Sequence, residues 1–274
     1  MPETELTIIE PNHLLRSLEL RDLWRHRELL FFMIWRDVMI RYKQTIIGVT
    51  WAILQPVLTT AVFTVIFSNF AKFDTSDIPY PLFALSGVMM WLFVHTSITT
   101  ASNSFVANTN LVTKVYFPRL ILPVAATFAA LTDLIFSVAI VILLMLYFGV
   151  MPTVQIVAAP LFLILAILLA GSLGTLFSAL NVRFRDVKFA LPFLLQIWMI
   201  ASPIFYPSGL LTEKWRLVFA INPMTGILEG MRSSLFGTKF DWQVIGVSCV
   251  SIAVIAVISI LVFKWMEDDF ADIV

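Results

Sequence analysis

Residues 134–182 read LIFSVAIVILLMLYFGVMPTVQIVAAPLFLILAILLAGSLGTLFSALNV, 49 positions without one Asp, Glu, Lys or Arg. Drawn as a single α-helix, this stretch would be about 74 Å long, more than twice the roughly 30 Å hydrocarbon core of a bilayer. It has to turn back on itself, and FGVMPT (Phe148–Thr153) supplies the turn, with Gly149 and Pro152 as punctuation. The run therefore predicts the greater part of two crossing helices, near 120–147 and 154–180.

Four more charge-free runs lie outside it, 44–71, 78–113, 189–212 and 242–263, of 28, 36, 24 and 22 residues. Only 13% of the 274 residues are charged and 59% are apolar, where soluble domains carry roughly a quarter charged residues. The chain is expected to be an all-α, polytopic membrane protein with six spans: near 46–70, 83–106, 120–147 (interrupted by Asp133), 154–180, 189–205 and 244–263. Net charge is zero, 18 basic against 18 acidic residues, so no nucleic-acid partner is indicated. The single cysteine, Cys249, excludes an intramolecular disulfide and a cysteine-rich metal site. The opening MPETELTIIEPNH lacks the basic start and short apolar core of a signal peptide.

Lys and Arg set the orientation. The loops and tails on one side hold 13 of them, from the N-terminal segment, Lys114 and Arg119, Arg183, Arg185 and Lys188, and Lys264; the other side holds 5, matched by five acids. Both termini are expected to be cytoplasmic. The short charged loop NVRFRDVKF (Asn181–Phe189) then has one sufficient role, holding a hairpin in its orientation.

Two segments are not spans. In residues 13–43, Ile34, Trp35, Val38 and Tyr42 all fall within about 60° of Phe31 on a helical wheel, with Arg36 and Lys43 toward the opposite face. Asp37–Arg41 has i,i+4 spacing, and Met33 and Ile40 break the single stripe. This reads as an amphipathic helix in the membrane interface, its basic residues near lipid phosphates. In residues 207–241, two short helices, Leu211–Ile221 and Met224–Leu235, are too short to cross and too apolar for a free loop. They read as re-entrant pieces on the outer side, facing protein or a water-filled cavity.

Catalytic chemistry is not evident. No G-x-x-x-x-G-K-[ST] occurs, so the chain lacks a P-loop. His13, His26 and His95 are scattered, and no metal-ligand pattern appears. Asp133 is the one acid well inside a span, which raises an ion-coupled secondary carrier as an alternative; the plainer reading is a carboxyl bonded to a neighbouring helix. Phe63, Phe67, Trp91, Phe93, Phe193, Trp198 and Phe205 lie within spans where Leu would serve lipid equally well. Aromatic faces stack on sugar rings, so these residues are candidates for lining a glycan channel, against a default of core packing.

Five stretches, in order and across most of the chain, resemble one family. They are RYKQTIIGVTWAILQP (Arg41–Pro56), NLVTKVYFPRLILP (Asn110–Pro123), LNVRFRDV (Leu180–Val187), SPIFYP (Ser202–Pro207) and NPMTGILEGMR (Asn222–Arg232). Together they resemble permease subunits of type-2 ABC exporters that move polysaccharides, the O-antigen and teichoic-acid exporters. The resemblance implies a homodimer with two cytoplasmic ABC ATPase chains, which would carry ATP and Mg, leaving this chain a non-enzymatic transport subunit without cofactor or metal. It also implies a coupling helix at Asn110–Arg119, with Lys114, Tyr116 and Arg119 facing the ATPase, and joins Arg183, Arg185, Asp186 and Lys188 to that surface. Residues 1–45 would form the cytoplasmic N-terminus with its interface helix, 46–265 the transmembrane domain and 266–274 a cytoplasmic tail. The expected substrate is a lipid-linked polysaccharide on a polyprenyl diphosphate, its diphosphate near Arg36, Arg41 and Lys43, exported across the bacterial inner membrane. Capsule or teichoic-acid export by the same fold is the near alternative.

Overall fold

The computed structural model describes residues 20–43, 49–67, 78–208, 213–267 and 270, and every regular element among them is helical. The first two helices are α1 (Leu20–Arg25) and α2 (Arg27–Lys43), with a break at His26 where one continuous interface helix was expected. The long elements are α3 (Val49–Ile66), α4 (Tyr80–Ser102), α7 (Ile121–Ala129) running into α8 (Leu131–Phe148), α9 (Ala159–Arg183) and α13 (Trp242–Glu267). Short helices α5 (Ser104–Ala107) and α6 (Thr109–Lys114) follow α4, and a 3₁₀ segment, Val154–Ala158, leads into α9. The remaining elements are α10 (Val187–Ile200), α11 (Glu213–Ala220) and α12 (Pro223–Phe236). The chain is thus a multi-pass membrane protein: five helical stretches among the described residues, Val49–Ile66, Tyr80–Ser102, Ile121–Phe148, Val154–Arg183 and Trp242–Glu267, are long and apolar enough to cross a bilayer.

The fold turns where the 49-residue run demanded it. Gly149 ends α8 at φ 70°, a left-handed conformation that glycine adopts without penalty. The span over 120–147 is two helices meeting at Ala130, which places Asp133 in the first turn of α8, where the helix dipole favours an acid.

The fifth expected span, 189–205, departs more. α10 has 14 residues, about 21 Å, short of the hydrocarbon thickness. It ends at Ile200 because Pro203 disfavours helical geometry in the residue before it, and the carbonyls of Pro203 and Ile204 are taken by another helix, as described below. The outer ends of the first expected span, at 46–48 and 68–70, lie outside the described residues, as does the N-terminal stretch 13–19 of the expected interface helix.

α4 is the axis of the bundle. It packs against α9, α7, α3, α8 and α12, while α9 packs in turn against α13 and α12. Gly174 of α9 lets the backbones approach, since a Cβ there would sit 2.7 Å from Cβ of Ala101. Burial is very uneven: 17 of the 23 residues of α4 are buried against 2 of the 18 of α3. A main apolar core surrounds α4, and a second cluster of Met33, Phe105, Val112, Phe117, Ile121, Phe263 and Phe270 closes the end that carries α2.

Candidate functional site

The polar stretch HTSITTASN (His95–Asn103) belongs to the second half of α4. His95, Thr99 and Asn103 recur at four-residue spacing, as do Thr96 and Thr100, so the side chains line one flank of the helix. Several satisfy themselves on their own helix: Thr99 Oγ1 donates to the His95 carbonyl at 2.8 Å, Thr100 to Thr96 at 2.8 Å, and Asn103 Nδ2 to Thr99 at 3.0 Å. Polar groups can therefore stand at membrane depth without a helix-to-helix partner.

Three adjoining cavities follow this flank. The central one, about 500 Å³, lies between α2, α3, α4 and α8, with Arg41, Gln55, Phe93, Thr96, Thr100 and Asp133 in its wall. Toward α2 it shares Arg41 and Thr100 with a second cavity of about 500 Å³, lined also by Arg36, Asp37, Thr99 and Asn103. Toward the other end it shares Gln55 and Leu92 with a third of about 360 Å³, lined by Thr59, Trp91, His95, Gln196 and Phe205. Together they trace a polar and aromatic groove from α2 to the loop after α10. Its outer wall is formed by α3 and α10, the helices with least cover.

The aromatic candidates divide. Trp91, Phe93 and Phe205 are buried and contribute to cavity walls. Phe63 stacks on Phe205 with centroids 3.5 Å apart, and lies 5.9 Å from Phe67. Trp198 meets Trp91 edge-on at 5.5 Å and donates to Asn222 Oδ1 at 2.9 Å. Phe193 stands apart, exposed on α10.

At the α2 end the charged residues are paired otherwise than helical spacing suggested. Asp37 takes Arg36, its chain neighbour, with Nη2 to Oδ1 at 2.7 Å, and not Arg41. Arg41 reaches 92 residues ahead and pairs with Asp133 of α8. Tyr42 donates its hydroxyl to the other oxygen of the same carboxylate. Burial, and then this hydrogen bond, push the Tyr42 phenol above its ordinary value, so it remains a donor at neutral pH. Asp133 is therefore held between a cation and a phenol, as the plainer reading of that acid anticipated. Lys43 is exposed. Along α2, Met33 is buried (3% exposed) and Ile34 packs on the second cluster, while Phe31 (71%) and Trp35 (52%) face outward, so the expected stripe is split: Phe31 and Trp35 point away from the protein and Tyr42 turns in to α8. An exposed apolar face beside basic residues suits a helix lying on a bilayer.

At the opposite end, two of the motifs meet. Arg232, buried in α12, donates to the carbonyls of Pro203 at 2.7 Å and Ile204 at 2.6 Å, with its guanidinium carbon 3.6 Å from the Phe83 ring centre. Asn222 donates to Ser202 Oγ at 2.9 Å and accepts from Trp198 Nε1 at 2.9 Å and Met224 N at 3.1 Å. SPIFYP and NPMTGILEGMR thus form one hydrogen-bonded unit with α4. Arg216 of α11 pairs with Asp241, just before α13.

The residues expected at an ATPase surface fall on two loops at the α2 end. Lys114 closes α6 and Tyr116 is fully exposed in the extended stretch after it; Arg119 lies 5.8 Å from the Phe270 ring. Arg183 closes α9 and lies 5.4 Å from the Trp265 ring. Arg185, Asp186 and Lys188 are exposed, with Asp186 at the N-cap of α10 and making no side-chain cap. The last turn of α13 and Phe270 lie between the two loops.

Sequence reasoning missed Gln55, Thr59, Thr96, Thr100 and Gln196 as groove residues, and Arg232 and Asn222 as the fastening at the end away from α2. The four-residue recurrence in HTSITTASN was a readable signal. Arg232 offered none, because its partners lie in remote segments.

Residues 28–236 match the family described as ABC-2 type transporter. The chain is 26% identical over 257 residues to the O-antigen export system permease protein RfbA of Myxococcus xanthus, covering 92% of this chain and 97% of that protein. It is 22% identical over 247 residues to the RfbA of Klebsiella pneumoniae, covering 90% and 95%. Over 209 residues it is 27% identical to the polysialic acid transport protein KpsM of Escherichia coli, covering 73% and 78%.

Proposed function

The chain belongs to the ABC-2 type transporter family, and from that premise we propose that it is the transmembrane subunit of an ATP-driven polysaccharide exporter. The cargo is a lipid-linked polysaccharide, O-antigen-like and carried on a polyprenyl diphosphate, moved outward across a bacterial inner membrane. Near full-length similarity to two proteins named O-antigen export permeases favours O-antigen over capsule or teichoic acid.

The observation that carries this reading is the groove along α4. Its wall combines uncharged hydrogen-bonding groups (Gln55, Thr59, Thr96, Thr100, Gln196) with Trp91, Phe93 and Phe205. Aromatic faces accept the apolar side of a sugar ring, and amides and hydroxyls exchange hydrogen bonds with its hydroxyls as it slides. The thin cover of α3 and α10 suits a second copy of the chain, so that two grooves face one conduit. α10 with residues 201–208 makes the sixth crossing, and α11 and α12 re-enter from the outer side.

With both termini in the cytoplasm, Arg36, Arg41 and Lys43 stand at the level of lipid headgroups, where the carrier's diphosphate enters. Lys114, Tyr116, Arg119, Arg183, Arg185, Asp186 and Lys188 then face two ABC ATPase chains, which hold the ATP and Mg. The exposure of the two loops suits that contact. Mild-detergent purification of the tagged chain, followed by native mass spectrometry, tests the assembly. Two copies with two chains bearing a nucleotide-binding P-loop are expected. Recovery of the chain without such a partner across several gentle extractions would refute the proposal.

A further inference from the structure

Both arginines of α2 that face the cavities already hold an acid, but the two pairs differ in reach. Arg36 and Asp37 are neighbours on one helix, whereas Arg41 and Asp133 join two helices. The body of α2 lies on α7. Its last turn reaches α8 through few contacts: Arg41 and Tyr42 to Asp133, a 3.4 Å contact between Tyr42 and Thr132 hydroxyls, and the Tyr42 and Phe136 rings edge-on with centroids 6.3 Å apart. The paired side chains are each 24% exposed and stand in the wall of the central cavity, roofed by Trp51, Ala52, Gln55 and Pro56 of α3.

A guanidinium binds carboxylate and phosphate with the same bidentate fork. An anion entering this cavity therefore has to take Arg41 from Asp133, or leave one charge without a partner in a partly dry site, which is costly. We infer that Asp133 is a resident counter-anion for Arg41, displaced by a phosphate-bearing headgroup, and that the displacement unfastens the end of α2 from α8. The inference rests on the headgroup reading above. Asp133 serves as the competitor that sets how strongly the site discriminates a doubly charged phosphate from ordinary lipid. Val49, six residues past Lys43, begins α3, so loosening the end of α2 bears directly on the helix that roofs the cavity.

The full-length chain in phosphatidylcholine nanodiscs, titrated with undecaprenyl diphosphate and read by native mass spectrometry, tests this. Asp133→Asn keeps an acceptor for Tyr42 but frees Arg41, and should bind the lipid about tenfold tighter than wild type, within the ordinary range of coupling between sites. Arg41→Gln should lose binding with either residue at 133. Tyr42→Phe, which removes a bond to Asp133 without freeing Arg41, should leave affinity near wild type. Inorganic pyrophosphate should compete only at far higher concentration than the lipid; equal potency would overturn the assignment to a headgroup delivered by the membrane. Spin labels at Ile40→Cys, exposed in the last turn of α2, and Leu143→Cys in a Cys249→Ser background should report a longer or broader distance when the lipid binds, and in Asp133→Asn without lipid. A wild type that binds no diphosphate lipid defeats the headgroup site itself. Binding that Asp133→Asn weakens or leaves unchanged defeats the role of Asp133 alone.

Discussion

Replacing Arg232 by Met removes every donor of the guanidinium while keeping most of the side-chain volume. The carbonyls of Pro203 and Ile204, bonded at 2.7 and 2.6 Å, lose that partner inside the protein. Each buried unsatisfied polar group costs about 1–3 kcal/mol, and stacking of a desolvated cation over Phe83 adds about 2 kcal/mol. Against this stands the relief of no longer burying a charge, which leaves a net loss of about 2 kcal/mol or more. At about 2–4 °C per kcal/mol for a chain of this size, the apparent melting temperature should fall by roughly 4–8 °C. Thermal unfolding of purified protein in detergent, followed by tryptophan fluorescence, measures it. Arg232→Lys should lose a similar amount, because a single ammonium on a shorter reach does not reproduce the planar fork across two carbonyls. An Arg232→Met protein melting within about 2 °C of wild type, the shift expected below 1 kcal/mol, would refute the idea that this side chain fastens the loop.

Other outcomes follow from single contacts. A Cβ on Gly230 would overlap the buried Phe162 ring, so Gly230→Ala should destabilise by about 1–3 kcal/mol, and Phe162→Leu in the same chain should recover part of the loss in the same melting assay. Trp91→Ala, in the groove wall, should reduce glycan export about fivefold, the rate equivalent of about 1 kcal/mol of aromatic contact; Phe193→Ala, exposed on α10, tests the same lining role at the face proposed for a second copy. Unchanged surface glycan in both would remove the aromatic lining from the mechanism. Asp186→Lys should let the partner ATPase hydrolyse ATP while export per ATP falls several-fold, and normal export by that variant would take the 183–188 loop out of coupling.

Elements whose cause is local were legible. Spans follow from apolar length, and the fold-back at Phe148–Thr153 follows from Gly149 and Pro152, so the structure placed these close to expectation. The expected span overextends α10 because the composition stays apolar through Phe205, while what ends it is Pro203 together with an arginine 29 residues further on. The break at Ala130 had no signal either, since small apolar residues continue through it. Among charges, the i,i+4 rule named the wrong partner for Arg41, because an acid from another helix competes for the same guanidinium and spacing says nothing about that acid. The groove was half legible: its aromatics carry equal weight in the sequence, and only packing separates Trp91 in the wall from Phe193 on the outside.

The dependence of the 203–204 loop on Arg232 also bears on how the chain is made. Synthesis proceeds at about 5–20 residues per second, so Ile204 precedes Arg232, 28 residues later, by roughly 1.4–6 s. During that interval α10 is already apolar enough to enter the membrane, yet the carbonyls just beyond it lack the donor that later holds them. The ends of α4 and α10 away from α2 are therefore completed late in biogenesis, and any defect that slows delivery of α12 prolongs the time for which a membrane quality-control protease can recognise the unfinished bundle.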